Sequence, residues 1–183
     1  LRLAGNVLQV GTKKFLLDRI HRIFLVGIGK GSCAMALAAE NILGDLIHRG
    51  IAVTKYGHGL NLSSCSVIEA AHPIPDACGV KGGERILEMV YQANEDDLIL
   101  CLVSGGGSAL VPAPAQGISL GDKQETTRQL LQCGATIHEI NTIRKHLSRI
   151  KGGQLCRRAK GAQVVSLILS DVVGDDLDMI ASG

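Results

Sequence analysis

Apolar residues cluster in five short runs along the chain, at residues 23–26, 51–54, 67–70, 98–103 and 164–169. Three of them, at 23–26, 98–103 and 164–169, give way directly to segments of Gly, Ser, Lys and Asp. The apolar character of these three is continuous rather than alternating, which is the pattern of strands covered on both faces in a parallel sheet. Between the runs the apolar period changes to that of a helix. Met35, Ala38, Ala39, Ile42, Leu43, Leu46 and Ile47 form one stripe, predicting an amphipathic helix over about 32–48 with Gly50 just past its end. Gly83, Ile86, Leu87, Val90 and Tyr91 mark a second. Ser119 with Asp122, and Thr136 with Glu139, have the three-residue spacing at which a hydroxyl and a carboxylate reciprocally satisfy the free N–H groups of a helix start. The helix from Thr136 to Ser148 puts Ile140, Ile143, Leu147 and Ile150 on one side and Asn141, Arg144, Lys145 and Ser148 on another. Strands alternating with helices predict an α/β fold, a doubly wound, mostly parallel sheet flanked by helices in the Rossmann manner. Without a repeat or linker, residues 1–183 read as a single α/β domain.

In such sheets ligands bind outside the carboxyl ends of the strands, so the loops there are the place to look for chemistry. The first, Gly27-Ile28-Gly29-Lys30-Gly31-Ser32, leaves a strand and opens a helix, where main-chain N–H groups and the helix dipole can hold an anion. It is not a Walker A loop, because Phe24 stands where the leading glycine belongs. Nor is it a strict dinucleotide fingerprint: Ser32 replaces the third glycine, and the second strand ends in Thr54-Lys55 rather than in an acid for a ribose. A plain glycine turn beside a solvated lysine is the alternative reading. The second loop, Ser104-Gly105-Gly106-Gly107-Ser108, offers a dense set of unhindered donors suited to phosphate. It also serves as a tight turn into Pro112-Ala113-Pro114. The third supplies acids: Asp171 follows its strand directly and Asp175 and Asp176 come soon after, hard oxygen ligands of the kind Mg²⁺ takes at a phosphate site. Asp178 reads as surface. Arg144 beside Lys145 and Asn141 suits a carboxylate or phosphate, although a solvated polar face gives the same stripe. Lys151-Gly152-Gly153 ends that helix in a way that also leaves donors free.

Composition narrows the partners. A formal charge of +2 with two Phe, two Tyr and no Trp implies neither a nucleic acid nor a membrane surface, and leaves no stacking platform for bases. The six cysteines include no C-x-x-C pair and read as reduced thiols. The apolar runs are too short to cross a bilayer, and no signal peptide opens the chain, so a cytoplasmic protein is expected. Homo-oligomerisation stays open. The chain begins at Leu1 and ends in Ala181-Ser182-Gly183, and it reads as a fragment of a longer protein.

Taken together, "VGIGKGSCAM", "VTKYGHG", "HPIPDACG", "LCLVSGGGSALVPAP", "INTIRKHLSRIKGG" and "VVSLILSDVVGDDLDMIASG" resemble, in consistent order over nearly the whole chain, the N-terminal part of the class II glycerate kinases, whose second domain is called MOFRL. The resemblance implies ATP-dependent phosphorylation of D-glycerate to 2-phosphoglycerate with Mg²⁺. It implies that Lys30, next to Gly29, is the active-site lysine that neutralises the transferring phosphate, and that Asp171 holds Mg²⁺ or orients the hydroxyl, with Asp175 as a further metal ligand. Ser104, Gly105, Gly106, Gly107 and Ser108 match the family's glycine loop, and Asn141, Arg144 and Lys145 its N-T-x-R-K motif. Ala71 stands before His72 where glycine is frequent. The implied partners are D-glycerate, ATP and a C-terminal domain of the same protein, without which this chain is expected to be inactive. A phosphosugar-binding or isomerase-like domain, and a non-catalytic fragment, are the rival readings.

Overall fold

The computed structural model describes residues 1–170, 174, 176 and 180–182. Its centre is a parallel sheet of five strands: β4 (Ile23–Ile28), β5 (Ile47–Lys55), β6 (Cys65–Ala70), β7 (Leu98–Ser104) and β8 (Gln163–Leu169), in the order β6-β5-β4-β7-β8. The chain runs outward from β4 to β6, then returns to β4's other side with β7 and β8. The strand order therefore reverses between β4 and β7, which opens a crevice at their carboxyl ends. The register there is regular, with Ile28 opposite Val103 and, across β7 and β8, Ser104 opposite Leu169.

Continuous apolarity has the expected cause in the two central strands. Phe24, Val26, Ile99 and Cys101 face one layer, where α2 (Ala77–Tyr91) contributes Ile86 and Val90. Ile23, Leu25, Leu98, Leu100 and Leu102 face the other, against Cys33, Ala36, Ala39 and Leu43 of α1 (Ser32–Leu43). Each large side chain so buried contributes about 1.5–3 kcal/mol. At the strand starts, away from the crevice, the Arg22 guanidinium pairs at 2.7 Å with the fully buried Asp97 carboxylate. The parallel sheet flanked by helices matches the sequence reading.

Several details depart from it. Strand β8 is an edge strand rather than one covered on both faces, and it leaves Leu169 61% exposed. The first helix stops at Leu43, because Gly44 turns to φ +49°; a single 3-10 turn follows and Ile47 already belongs to β5. Polar His48 and Arg49, both exposed, hid that strand's first half. An antiparallel meander, β1 (Arg2–Ala4), β2 (Val7–Val10) and β3 (Lys13–Leu16), was not predicted; it lays Leu8, Val10 and Phe15 into the α1 layer. Short helices α3 (Gly107–Leu110) and α6 (Gln154–Arg158) were likewise not predicted. The capping boxes hold: Ser119 with Asp122 opens α4 (Leu120–Gln132), and Thr136 with Glu139 opens α5 (Ile137–His146).

The stripes of α5 are partly exchanged. Asn141 is buried while Ile143 is 38% exposed, so part of the polar side faces inward. Ser148 lies beyond the helix end, where its buried hydroxyl donates to the Pro112 carbonyl at 3.1 Å. All six cysteines are free thiols, and burial pushes those of Cys65 and Cys101 up to about 12. Among the described residues no helix is long and apolar enough to cross a membrane.

Candidate functional site

The first and second loops are joined across the reversal point. The Lys30 N–H donates to the Gly105 carbonyl at 2.9 Å, and the Gly31 N–H to the Ser104 hydroxyl at 2.9 Å. On the other side the Gly29 N–H donates to the Val53 carbonyl at 3.1 Å, and the buried Thr54 hydroxyl to the Lys30 carbonyl at 3.1 Å. The approach is closest at Gly29, where φ is +124° and a Cβ would overlap the carbonyl and hydroxyl oxygens of Ser104. The main-chain donors of residues 29–31 are thus spent on neighbouring strands. This corrects the expectation that this loop cradles an anion with its backbone: what it presents is the Lys30 side chain. No described residue forms a hydrogen bond or ion pair with that ammonium.

Lys30 crosses to the second loop. A Cβ on Gly106, whose φ is +83°, would stand 2.8 Å from Lys30 Cε and 2.9 and 3.0 Å from His72 Cδ2 and Nε2. The glycine therefore does two jobs: it takes the left-handed turn that opens α3, and it lets a lysine and an imidazole close on the main chain. Gly106 and Gly107 stand at the start of α3, where N–H groups have no intrahelical acceptor. His72 is the residue beside Lys30 that sequence reasoning did not single out. It sits in a quoted motif, "HPIPDACG", but only the three-dimensional path after β6 brings its ring beside Lys30.

The third loop leaves β8 at the same sheet edge. Leu169 Cδ2 would lie 3.9 Å from a Cβ on Gly31, and Ser170 continues from there. Asp171, Asp175 and Asp178 lie outside the described residues. Among the described residues no group of three or more His, Cys, Asp or Glu side chains could hold a metal ion.

On the far side of the glycine loop, residues 111–115 run antiparallel to 147–149, with the Arg149 N–H donating to the Ala113 carbonyl at 2.9 Å and the Ala115 N–H to Leu147 at 3.1 Å. Two buried lysines hold this segment. Lys123 Nζ donates to the carbonyls of Pro112 at 2.6 Å and Leu147 at 3.1 Å, and Lys151 Nζ to Val111 at 3.2 Å and Ala181 at 3.5 Å. Arg144 is half-buried and lines a cleft of about 560 Å³ together with Ser108, Pro73, Pro75, Pro112 and Lys123. The Lys145 stem instead lies over Gly152, 3.3 Å from the place of a Cβ there, and Asn141 is buried. A separate apolar cavity of about 320 Å³ lies between β7, β8 and residues 150–156. The structure thus brings Lys30, Gly29 and residues 104–107 together, sets Ser108 and Arg144 in an adjoining cleft, and leaves Lys145 packed on the turn after α5.

Burial and the Arg144 charge push the Lys123 amine down to about 8. Lys151 is shifted further in the same direction, by burial first and then by Arg144 and Lys123. Because an unfolded lysine titrates near 10.4, the unfolded chain binds more protons than the folded one between about pH 8 and 10.4, so stability rises with pH there. Below that window the penalty of a buried ammonium is fully present. The urea midpoint of the protein relative to its Lys123→Met variant is expected to rise between pH 7.5 and 10, equivalent to about 2 kcal/mol. A pH-independent difference would show that Lys123 is not perturbed.

Residues 2–183 match the family model described as a domain of unknown function, DUF4147. The chain is 51% identical over 162 residues to a glycerate 2-kinase of Pyrococcus horikoshii, covering 88% of this chain and 36% of that protein. It is 46% identical to a putative hydroxypyruvate reductase of Agrobacterium vitis, covering 88% of this chain and 42% of that one. Among solved structures it is similar to the glycerate kinase of Thermotoga maritima, with a TM-score of 0.86 and 50% identity, over 88% of this chain and 39% of that chain. The chain spans about 40% of the length of the curated relatives it matches.

Proposed function

Because this chain belongs to the DUF4147 family, the N-terminal domain of glycerate 2-kinase, we propose that it supplies part of the active site for ATP-dependent phosphorylation of D-glycerate to 2-phosphoglycerate. The observation that carries the reading is the convergence of Lys30 and His72 on Gly106 at the point where the strand order reverses. In phosphoryl transfer the substrate oxygen forms a bond to the terminal phosphorus as the bond to ADP breaks, and catalysis comes from positioning and charge neutralisation. Lys30 supplies a cation on a short tether whose backbone is fixed by Gly105 and Thr54. The N–H groups at the start of α3 add donors beside it. In this reading Asn141, Arg144 and Lys145 serve the acceptor side, with Arg144 lining the cleft.

Asp171 and Asp175 would hold Mg²⁺, carboxylate oxygens being the donor set this hard cation takes. When bound, the ion neutralises phosphate charge. In this reading residues 1–183 act as one α/β domain, the additional length seen in the relatives completes the site, and the protein works in the cytoplasm. A reductase, as the name of the Agrobacterium relative suggests, would need a nicotinamide site, and Thr54-Lys55 at the end of β5 offers no acid for a ribose. The test is nucleotide consumption by the full-length protein: ADP release is expected to require D-glycerate. ADP release that ignores D-glycerate, or oxidation of NADH by hydroxypyruvate, would sink the reading.

A further inference from the structure

Three basic side chains, Lys123, Arg144 and Lys151, gather about residues 108–114: Lys123 and Lys151 bond to the Pro112 and Val111 carbonyls, and Lys123 and Arg144 line one cleft, and among the described residues no carboxylate pairs with any of them. They are not equivalent. The two lysines turn their amino groups to main-chain carbonyls and so spend their donors on fixing the segment. Arg144 makes no hydrogen bond or ion pair with a described residue. It lines the cleft walled by Pro73, Ile74, Pro75, Pro112 and Leu131, with Ser108 at its edge. The other arginine of this cleft, Arg128, is already paired with Glu125.

A half-desolvated guanidinium with no counter-charge among the described residues is costly to hold, and the cost is offset when an anion occupies the space before it. Burial lowers the pKa of Arg144, in keeping with its loss of solvent. The rigid fork of donors matches the two oxygens of a carboxylate, and the apolar walls strengthen the pair by excluding water. Ser108 and Pro73 line the cleft and directly follow Gly107 and His72 in the chain, so the cleft adjoins the end where Lys30 and His72 meet.

We infer that Arg144, with Ser108 at the cleft wall, is the subsite for the carboxylate of a small hydroxy acid, so that the two ends of the acceptor are read by different parts of the fold: the carboxylate by α5 and the hydroxyl by the Lys30–Gly106 end. This inference rests on the kinase reading for the identity of the acceptor, but not for the presence of a carboxylate site.

The experiment compares D-glycerate with glyceramide, its neutral amide, as acceptors for the full-length protein and its Arg144→Met and Arg144→Lys variants. The preference for D-glycerate in kcat/KM is expected to fall about 100-fold in Arg144→Met, the loss appearing in KM, because a bidentate charged pair is removed. Arg144→Lys restores part of it, keeping the charge without the fork, and stands in if the methionine variant does not fold. An unchanged preference in a folded variant overturns the inference. Should the unmodified protein phosphorylate neither compound, the kinase reading falls, and binding of D-glycerate without nucleotide, followed by calorimetry, decides the subsite. Binding lost in Arg144→Met and partly kept in Arg144→Lys supports it; binding that is absent from the unmodified protein or indifferent to Arg144 refutes it.

Discussion

Replacing Lys30 by alanine in the full-length protein is expected to lower kcat for D-glycerate by about 10²–10³-fold and to leave the melting temperature within about 2 °C. The two halves of this expectation come from different atoms of one residue. Its main chain does the structural work, the N–H bonding Gly105 and the carbonyl accepting from Thr54, and alanine keeps both. Its side chain carries the charge, with no described partner to lose. Steady-state kinetics beside a thermal melt read the two separately. A parallel fall in activity and melting temperature would make Lys30 a structural residue and remove the main support for the site.

The second large effect is on folding. Gly29→Ala is expected to destabilise the protein by at least about 3 kcal/mol, since it combines a φ of +124° with overlap on the Ser104 carbonyl and hydroxyl. Backbone oxygen in a sheet cannot step aside as the tip of a flexible side chain does. Gly134→Ala is the control: its φ is +77° but nothing lies within 4 Å, so only backbone strain of about 1 kcal/mol is expected. Urea unfolding of both variants checks this. Similar losses in the two would mean that the approach between the first and second loops is looser than described.

The sequence made the central strands and their loops legible because a strand buried on both faces must be apolar throughout, and few other elements of that length are. Capping boxes were legible for a related reason: both partners lie within four residues. What escaped were features decided by distant contacts. The strands of the β1–β3 meander are only 3 and 4 residues long, too short for a period to register. On α5 the charged stripe looked like the solvent side, yet Asn141 is buried and Ile143 exposed, because α4 and residues 180–182 pack against the helix. His72 carried no local sign of function; its place beside Lys30 follows from Gly106 having no side chain. The first loop was legible as a site but not in its manner of working, since the N–H groups of residues 29–31 find their acceptors 24 to 75 residues away in sequence.

The most direct measurement is the phosphorus NMR spectrum of the product formed by the full-length protein from ATP and D-glycerate. The site described here requires a phosphomonoester coupled to the single proton on carbon 2 of glycerate, and its loss in Lys30→Ala. A phosphate on carbon 3, or inorganic phosphate alone, would contradict it.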